Sequence, residues 1–328
     1  MLNVDNLHIT FNTSDGKVPA VTGVSFGIDS GESVALVGES GSGKSITALS
    51  CMRLLPAPPS VVTADAMSFD GKDLLDLSID QMRRVRGNEI AMIFREPMTS
   101  LNPLLTIGYQ IAEVASLHLG FSKDRAWKYA LEMLERVGIP ESKKRAKEYP
   151  HQMSGGMRQR VMIAIALSCN PKLLIADEPT TALDVTIQAQ ILKLIDDLQK
   201  DIGMALLLIT HNLGIVAQKT ERVLVMYAGQ IVECTKTDNV FTNPAHPYTD
   251  GLLRSIPSVE KKVPRLNVIK GVVPSPMFYP KGCRFSPRCP YAKDKCVQDE
   301  PGLVELGMGH HARCHYPLAA PQGGTLYA

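Results

Sequence analysis

Continuous apolar runs separated by helix-period segments dominate the hydrophobic pattern of the first two-thirds of the chain. Residues 33–37, 173–176 and 205–209 are short aliphatic runs, as expected of strands that are buried on both faces of a sheet. Between the second and third runs, apolar residues from Ile187 to Leu198 recur with helical spacing. This strand–helix–strand order predicts a mostly parallel sheet with helices on its faces.

Two segments beside this core have different patterns. Residues 2–29 alternate weakly between apolar and polar positions, which predicts short strands of an N-terminal antiparallel β subdomain. Residues 97–152 have helical period and no apolar strand run, with Ser122 as the predicted N-cap of one helix and Gly138 as its end. They predict a helical subdomain inserted between strands of the main sheet.

The pattern changes again after about residue 232. Prolines become frequent, the apolar period fades and cysteines cluster, which predicts a loop-rich C-terminal extension. We therefore predict an α/β chain with a main domain over residues 1–240 and an extension over residues 241–328.

Composition limits the class of function. The chain has 328 residues and a net charge of +2, which gives no support to a nucleic-acid partner, since such a partner would need a concentrated basic face. The first residues do not read as a secretory signal, and no apolar run approaches the roughly 20 residues of a membrane helix. We expect a soluble, cytosolic chain.

A glycine-rich segment follows the first apolar run. Residues 38–45 fit the pattern G-x-x-x-x-G-K-S between a buried strand and a helix, the context that a phosphate-binding loop requires. Lys44 would add a positive charge to the β- and γ-phosphates of a nucleotide, and Ser45 would offer its hydroxyl to Mg²⁺. A merely glycine-rich turn would leave the lysine and the hydroxyl unexplained. The sequence thus predicts a P-loop NTPase core, with these candidates for nucleotide binding: Gly38, Ser40, Gly41, Gly43, Lys44 and Ser45.

Polar residues follow the second and third apolar runs. Asp177 and Glu178 stand at the carboxyl end of one predicted strand, where open α/β sheets bind ligands. Asp177 can hold the Mg²⁺ shell, and Glu178 can polarise the attacking water as a general base. His211, at the end of the next strand, could contact the γ-phosphate or orient the water. Taken alone, the acidic pair could be a solvated turn, so its assignment depends on the preceding phosphate loop.

A second glycine segment, Met-Ser-Gly-Gly-Met-Arg-Gln-Arg at residues 153–160, precedes an apolar helix pattern. Backbone N–H groups at a helix N-terminus are a ready site for another phosphate. Two phosphate cradles so far apart in one chain indicate a site that is shared between two chains.

Five motifs occur in the order seen in ATP-binding-cassette ATPases, and the chain resembles that family over roughly residues 1–240. Residues 38–45 resemble the Walker A motif, 154–160 the signature, 173–178 the Walker B motif, 182–184 the D-loop, and His211 the switch histidine.

The resemblance implies a head-to-tail dimer that holds two ATP molecules. Each ATP would lie between the Walker A motif of one subunit and the signature residues Ser154, Gly155 and Gly156 of the other, with Asp184 in the D-loop beside it. Phe11 would stack on adenine, although the residues alone favour a core strand position for this side chain.

Arg95 departs from the family pattern. After the Met-Ile-Phe strand at residues 92–94, the family normally has a glutamine that bridges Mg²⁺ to the transmembrane partner. An arginine cannot accept a hydrogen bond or ligate a cation. It would repel Mg²⁺ or contact a phosphate oxygen. This keeps open a second hypothesis, a weakly catalytic or non-catalytic subunit that donates its signature to a partner ATPase.

Four cysteines cluster in the extension, at Cys283, Cys289, Cys296 and Cys314. In a reducing cytosol such a cluster favours a metal centre over disulfides. The first gaps are wider than those of a short zinc knuckle, and Pro290 follows Cys289, which favours a 4Fe–4S cluster. Zinc remains an alternative because several histidines are close in sequence, as does the absence of any metal. Those histidines are His310, His311 and His315.

The extension narrows the resemblance to dipeptide and oligopeptide importer ATPases. Residues 246–249, 271–274 and 283–296 resemble the C-terminal region of those proteins. This implies ATP-driven uptake of peptides at the cytoplasmic face of the membrane, with a second, non-identical ATPase, two permeases and an extracytoplasmic binding protein as partners. Glutathione or a metal chelate remains possible as cargo.

One further class shares the nucleotide motifs, namely soluble cassette ATPases that act in translation or DNA repair. Such proteins would carry a duplicated cassette or a coiled coil, and the sequence has neither.

Overall fold

The structure, a computed structural model, describes residues 1–181, 184–256 and 268–318. Its contacts divide the chain into two compact units. Unit 1 comprises residues 1–28, 33–75 and the described residues from 209 onward, and unit 2 comprises residues 29–32 and 76–208. The predicted domain border at residue 240 differs from these borders and stays a prediction.

The described residues form strands and helices in alternation. The strands are β1 (Leu2–Thr13), β2 (Gly16–Ile28), β3 (Ser33–Val37), β4 (Ser60–Thr63), β5 (Ala66–Phe69), β6 (Lys72–Asp73), β7 (Ile90–Ile93), β8 (Leu173–Asp177), β9 (Ala205–Thr210), β10 (Arg222–Tyr227), β11 (Gln230–Lys236), β12 (Val304–Gly307) and β13 (His310–Ala312). The helices are α1 (Lys44–Cys51), α2 (Ile79–Val85), α3 (Pro97–Ser100), α4 (Ile107–Leu119), α5 (Lys123–Arg136), α6 (Ser142–Arg145), α7 (Gly155–Leu167), α8 (Val185–Ile202), α9 (Leu213–Lys219), α10 (Thr237–Thr242), α11 (Pro247–Arg254) and α12 (Asp294–Gln298).

An antiparallel sheet in unit 1 has the strand order β2, β1, β5, β6, and β4 also pairs with β1. The predicted antiparallel subdomain is confirmed, but the prediction of short strands is wrong, because β1 and β2 have 12 and 13 residues. The β1–β2 register shifts between Val4 and Thr10. Such irregularities interrupt the period-two alternation by which a long strand is recognised in a sequence.

A second sheet in unit 1 has the order β12, β13, β11, β10, β3. The strands β10 and β3 are parallel, whereas β13 adds antiparallel to the edge of β11. The extension is mostly loops, as predicted, but it also contributes β12 and β13 to this sheet. These strands of four and three residues are too short to produce a recognisable pattern.

An aromatic core joins the extension to the strands of unit 1. Tyr227 at the end of β10, Tyr248 in α11 and Phe285 are almost fully buried. Their ring centroids lie 4.6 to 5.5 Å apart. Burial of Phe285 alone contributes about 1.5–3 kcal/mol, so the extension is anchored by packing as well as by the edge strands.

In unit 2, residues 205–208 of β9 lie beside β8, and β8 pairs parallel with β7. All residues of β8 are buried, as predicted for a strand covered on both faces. The helix α8 buries Ile191, Ile195 and Leu198, as its period predicted.

The helical segment predicted at residues 97–152 contains α3 to α6 and a short 3₁₀ turn at Pro150–Gln152. The Ser122 hydroxyl accepts the Arg125 N–H at 3.5 Å, which confirms the predicted N-cap of α5. No helix within the described ranges is both long enough and apolar enough to cross a bilayer.

Candidate nucleotide site

The glycine-rich loop of unit 1 runs from the end of β3 to the start of α1, as predicted. Lys44 has a relative exposure of only 6%. Its Nζ donates to the carbonyl oxygens of Gly38 at 2.8 Å and Glu39 at 2.9 Å, and to Ser42 Oγ at 3.3 Å. The loop therefore folds around the ammonium group, which gives it a fixed positive charge suited to phosphate oxygens.

Two glycines of the loop, Gly38 and Gly43, are required by the neighbouring strand β10. Gly43 caps α1 with a φ of 104°, and a Cβ there would lie 2.7 Å from Met226 Cε in β10. A Cβ on Gly38, at a φ of 153°, would clash with the Met226 carbonyl oxygen. In addition, the Gly229 N–H donates to the Ser42 carbonyl at 2.9 Å. The end of β10 thus holds the loop in its conformation, and side chains at these two positions would exclude it.

Two residues of the C-terminal part also contact this loop. The hydroxyl of Tyr248 accepts the Glu39 N–H at 2.8 Å, and the guanidinium of Arg288 pairs with the Glu39 carboxylate. Sequence reasoning missed both contacts. Tyr248 and Arg288 lie 209 and 249 residues from Glu39, and no local pattern connects positions so far apart.

The acidic pair of unit 2 lies at the carboxyl end of β8, as predicted. Asp177 and Glu178 have relative exposures of 6% and 9%. Glu178 adopts a left-handed φ of 46°, and its Oε2 accepts the Thr181 hydroxyl at 2.8 Å. A buried carboxylate held by a turn at a strand end has the restricted orientation that a general base needs.

Arg95 contacts the proposed base directly. Its Nε lies 3.1 Å from Glu178 Oε2, and the side chains are 55% and 9% exposed, respectively. The sequence predicted that Arg95 would lie beside Mg²⁺ or a phosphate, and did not predict this ion pair. A charge-assisted hydrogen bond stabilises the ionised carboxylate and so opposes its uptake of a proton. Arg95 thereby opposes the transfer of a proton from water to Glu178, the step proposed for this carboxylate.

The signature residues form the start of α7, also in unit 2. The Ser154 hydroxyl accepts the Met157 N–H at 3.3 Å as the N-cap. Asp184 caps α8 in the same way by accepting the Ile187 N–H at 2.9 Å. A Cβ on Gly156 would lie 3.0 Å from Ile187 Cγ2, so these two helix starts are close together. Ala182 and Leu183 of the predicted D-loop lie outside the described residues.

The remaining nucleotide candidates are in unit 1. His211 directly follows β9 and is exposed. Phe11 is half-buried in β1, opposite Val18 of β2 and Ser60 of β4. Since Ser45 belongs to unit 1 and Asp177 to unit 2, their joint Mg²⁺ site stays a prediction.

The four clustered cysteines line one small cavity in unit 1, together with His246 and Phe285. The cavity has a volume of about 10 Å³, and its cysteines are Cys283, Cys289, Cys296 and Cys314. Burial raises the pKa of the Cys283 and Cys289 thiols, and raises that of Cys314 to about 12. These thiols are therefore protonated near neutral pH unless a metal displaces the protons.

The metal-binding prediction receives no support from the interatomic geometry. Within residues 1–181, 184–256 and 268–318, no three His, Cys, Asp or Glu side chains are close enough to hold an ion. The three histidines that made zinc an alternative metal have other partners. His310 Nε2 lies 2.8 Å from the buried Glu233 carboxylate, and His315 Nε2 donates to the Asp299 carbonyl at 2.9 Å. His311 Nδ1 donates to the Gly309 carbonyl at 3.2 Å.

Comparison with known proteins of similar sequence identifies the family of this chain. The family model described as "ABC transporter" matches residues 21–181, and that described as "Oligopeptide/dipeptide transporter, C-terminal region" matches residues 232–296. The oligopeptide transport ATP-binding protein AppD of Bacillus subtilis is 54% identical over 314 residues, which cover 96% of each chain. The chain belongs to the ABC transporter family.

Further relatives and solved structures agree with this assignment. The dipeptide transport ATP-binding protein DppD of Escherichia coli is 49% identical over 318 residues, 97% of each chain. The dimeric, ADP- and phosphate-bound ATP-binding cassette MJ0796 is 28% identical, with a TM-score of 0.64 over 72% of this chain and 99% of that one. The cassette cbiO1 of Clostridium perfringens has a TM-score of 0.60 and 29% identity, over 74% of this chain and 90% of that one.

Membership in the ABC transporter family confirms the predicted α/β cassette fold and the predicted enzyme class. The chain is an ABC ATPase, for which ATP with Mg²⁺ is the expected substrate. The roles of individual residues stay predictions, and so does the metal centre in the extension of this ABC ATPase.

Proposed function

We propose that this ABC ATPase drives the import of dipeptides or oligopeptides through partner permeases. The observation that carries the proposal is near-full-length identity to peptide transport ATP-binding proteins, at 54% and 49%, with the C-terminal region included. A cassette ATPase of translation or DNA repair would have no use for that extension. The proposed partners are a second, non-identical ATPase, two permeases and an extracytoplasmic binding protein, with the chain on the cytoplasmic face of the membrane.

The proposed chemistry gives each candidate residue of the nucleotide site one role. Lys44 would attract the β- and γ-phosphates, and Glu178 would take a proton from the attacking water, with His211 beside the γ-phosphate. The Ser45 hydroxyl and the Asp177 carboxylate are hard oxygen donors that suit Mg²⁺, which would neutralise phosphate charge when bound. Ser154, Gly155, Gly156 and Asp184 would close on the ATP of the partner ATPase.

The helical segment at residues 97–152 is the proposed contact with the permeases. Five large apolar side chains of this segment are exposed, namely Met98 by 46%, Leu104 by 82%, Tyr109 by 49%, Leu117 by 73% and Tyr149 by 39%. Exposed apolar side chains on one segment of a folded chain are typical of protein–protein contacts. Coupling through this segment would convert ATP-driven closure into movement of the permeases.

The proposal is tested on the assembled complex, purified from membranes together with its permeases and second ATPase. We expect peptide-loaded binding protein to raise the rate of phosphate release above the rate with empty binding protein. Dipeptides, tetrapeptides, glutathione and a metal chelate are compared under the same conditions. Stimulation by glutathione or the chelate alone would contradict peptide import, and failure to co-purify with permeases would contradict the transporter itself.

We further propose that the four cysteines hold a 4Fe–4S cluster. The support is the donor set, since four cysteine side chains line one cavity and a 4Fe–4S cluster takes four thiolates. The loops would have to move apart, since a cavity of about 10 Å³ has room for about one water molecule.

We expect the anaerobically purified chain to contain about four iron and four sulfide atoms, as a 4Fe–4S cluster requires. The variant Cys289→Ser removes one ligand and is expected to lose the iron. The matched control is Cys51→Ser, a buried cysteine outside the cavity, which is expected to retain the iron. Zinc in place of iron would support the alternative metal, and a metal-free, fully active preparation would exclude a metal centre.

A further inference from the structure

Arg288, in the loop between two cavity cysteines, has all its hydrogen-bond donors engaged within unit 1. Its Nη1 and Nη2 donate to the two carboxylate oxygens of Glu39, at 2.6 and 3.0 Å. The Nε donates to the Lys270 carbonyl at 3.1 Å, and Nη2 also donates to the Ile269 carbonyl at 3.3 Å. The Arg288 side chain is only 5% exposed, so its position is fixed by these contacts.

The aromatic core contacts this arginine through Tyr227. Arg288 Nη1 lies 3.5 Å from the Tyr227 hydroxyl, and its Cζ lies 5.7 Å from the centre of the Tyr227 ring. Tyr227 in turn packs on the fully buried Tyr248. A bidentate guanidinium–carboxylate pair on such a rigid base has a defined geometry, unlike a flexible surface pair.

Glu39 is part of the phosphate-binding loop itself. Its N–H is held by the Tyr248 hydroxyl, and its carbonyl oxygen accepts from Lys44 Nζ. Its carboxylate is 29% exposed and lies in the same loop whose positive charge comes from Lys44. An uncompensated negative charge there would oppose the binding of an anionic phosphate chain.

We propose that Arg288 is a positioning residue for nucleotide binding, which neutralises and holds the Glu39 carboxylate at the phosphate-binding loop. The C-terminal extension thereby contributes to the affinity of a loop 249 residues away. The inference depends on ATP binding at this loop and is independent of peptide import.

The test is the equilibrium affinity of the purified full-length chain for Mg²⁺–AMP-PNP. We expect Arg288→Ala to weaken binding about threefold, because the Glu39 charge is partly exposed and therefore partly screened. The double variant Arg288→Ala/Glu39→Gln is expected to recover near-wild-type affinity, which simple destabilisation of the extension would not allow. Raising the ionic strength should shrink the difference between Arg288→Ala and the wild type.

Two further variants control for folding. Arg288→Lys keeps the positive charge that neutralises the Glu39 carboxylate, so it is expected to bind within about twofold of the wild type although the bidentate geometry is lost. Arg313 also belongs to the extension and donates to the Ile231 and Pro301 carbonyls, so Arg313→Ala is expected to leave the affinity unchanged. Wild-type affinity in Arg288→Ala, or no recovery in the double variant, would overturn the proposal. A wild-type chain that fails to bind AMP-PNP would overturn nucleotide binding at this loop as well.

Discussion

Replacement of Glu178 by glutamine is expected to slow ATP hydrolysis roughly 100- to 10,000-fold, the usual contribution of a general base. The amide has nearly the shape of the carboxylate but cannot take a proton from water. Glu178 is buried at the end of β8, and Thr181 donates to its Oε2, so the substitution should leave the turn in place. The measurement is phosphate release at saturating ATP by complexes whose partner ATPase carries a substituted phosphate-loop lysine, so that turnover comes from this chain's site.

ATP binding is expected to survive this substitution, because the charge of Lys44 and the glycine-rich loop are unchanged. The Glu178→Gln complex should therefore accumulate in an ATP-bound, closed form that is detectable by size-exclusion chromatography with labelled ATP. Asp80→Asn is the matched control in the same unit, since this aspartate is 82% exposed and pairs with Arg83 one helical turn away, outside the proposed permease contact. Unchanged turnover in Glu178→Gln would show that Glu178 is not the base.

The sequence predicts the phosphate loop and the acidic strand end because their determinants are local. Residues 38–45 combine a buried strand, required glycines and a helix start within a few positions, and the structure has these elements in the predicted order. Asp177 and Glu178 follow a strand whose burial is evident from its aliphatic residues alone. In both cases the information lies within about ten residues of chain.

The contact between Arg95 and Glu178 depends instead on which strands are neighbours. The strands β7 and β8 pair in parallel with Ile93 opposite Ala176. Continued by two residues past the pair of Ile93 and Ala176, this register brings Arg95 opposite Glu178. No hydrophobic pattern reveals strand neighbours or register when both strands are fully buried runs. For that reason the sequence showed that Arg95 departs from its family but did not show which group it contacts.

The extension was hard to predict for a related reason. Its core contacts, such as Phe285 on Tyr227 and Tyr248, join side chains that are far apart in the sequence. Its two strands are short and separated by glycines that hide their alternation. A loop-rich composition was therefore visible, but not the packing that attaches this region to the phosphate-binding loop.

Replacement of Arg95 by glutamine is expected to raise ATP hydrolysis at the site built on this chain's Lys44 about fivefold. The change removes the charge-assisted hydrogen bond from Arg95 Nε to Glu178 Oε2, and Glu178 can then accept the proton of water more readily. A hydrogen bond to a charged group contributes about 1.5–3 kcal/mol in a buried setting. Because the Arg95 side chain is 55% exposed, we discount this to about 1 kcal/mol, which corresponds to the fivefold change.

The measurement must isolate this chain's site from that of the partner ATPase. Phosphate release is therefore compared in complexes whose partner carries a substituted phosphate-loop lysine, so that turnover comes from this chain alone. Arg95→Lys is the matched control, because it keeps a cation near Glu178 and is expected to stay close to the wild-type rate. If Arg95→Gln leaves the rate unchanged or lowers it, the ion pair does not restrain the base. An increase in Arg95→Gln but not in Arg95→Lys would identify the cation beside Glu178 as the reason why ATP hydrolysis at this chain's Lys44 is slow. The signature residues Ser154, Gly155 and Gly156 would then act mainly on the ATP of a more active partner.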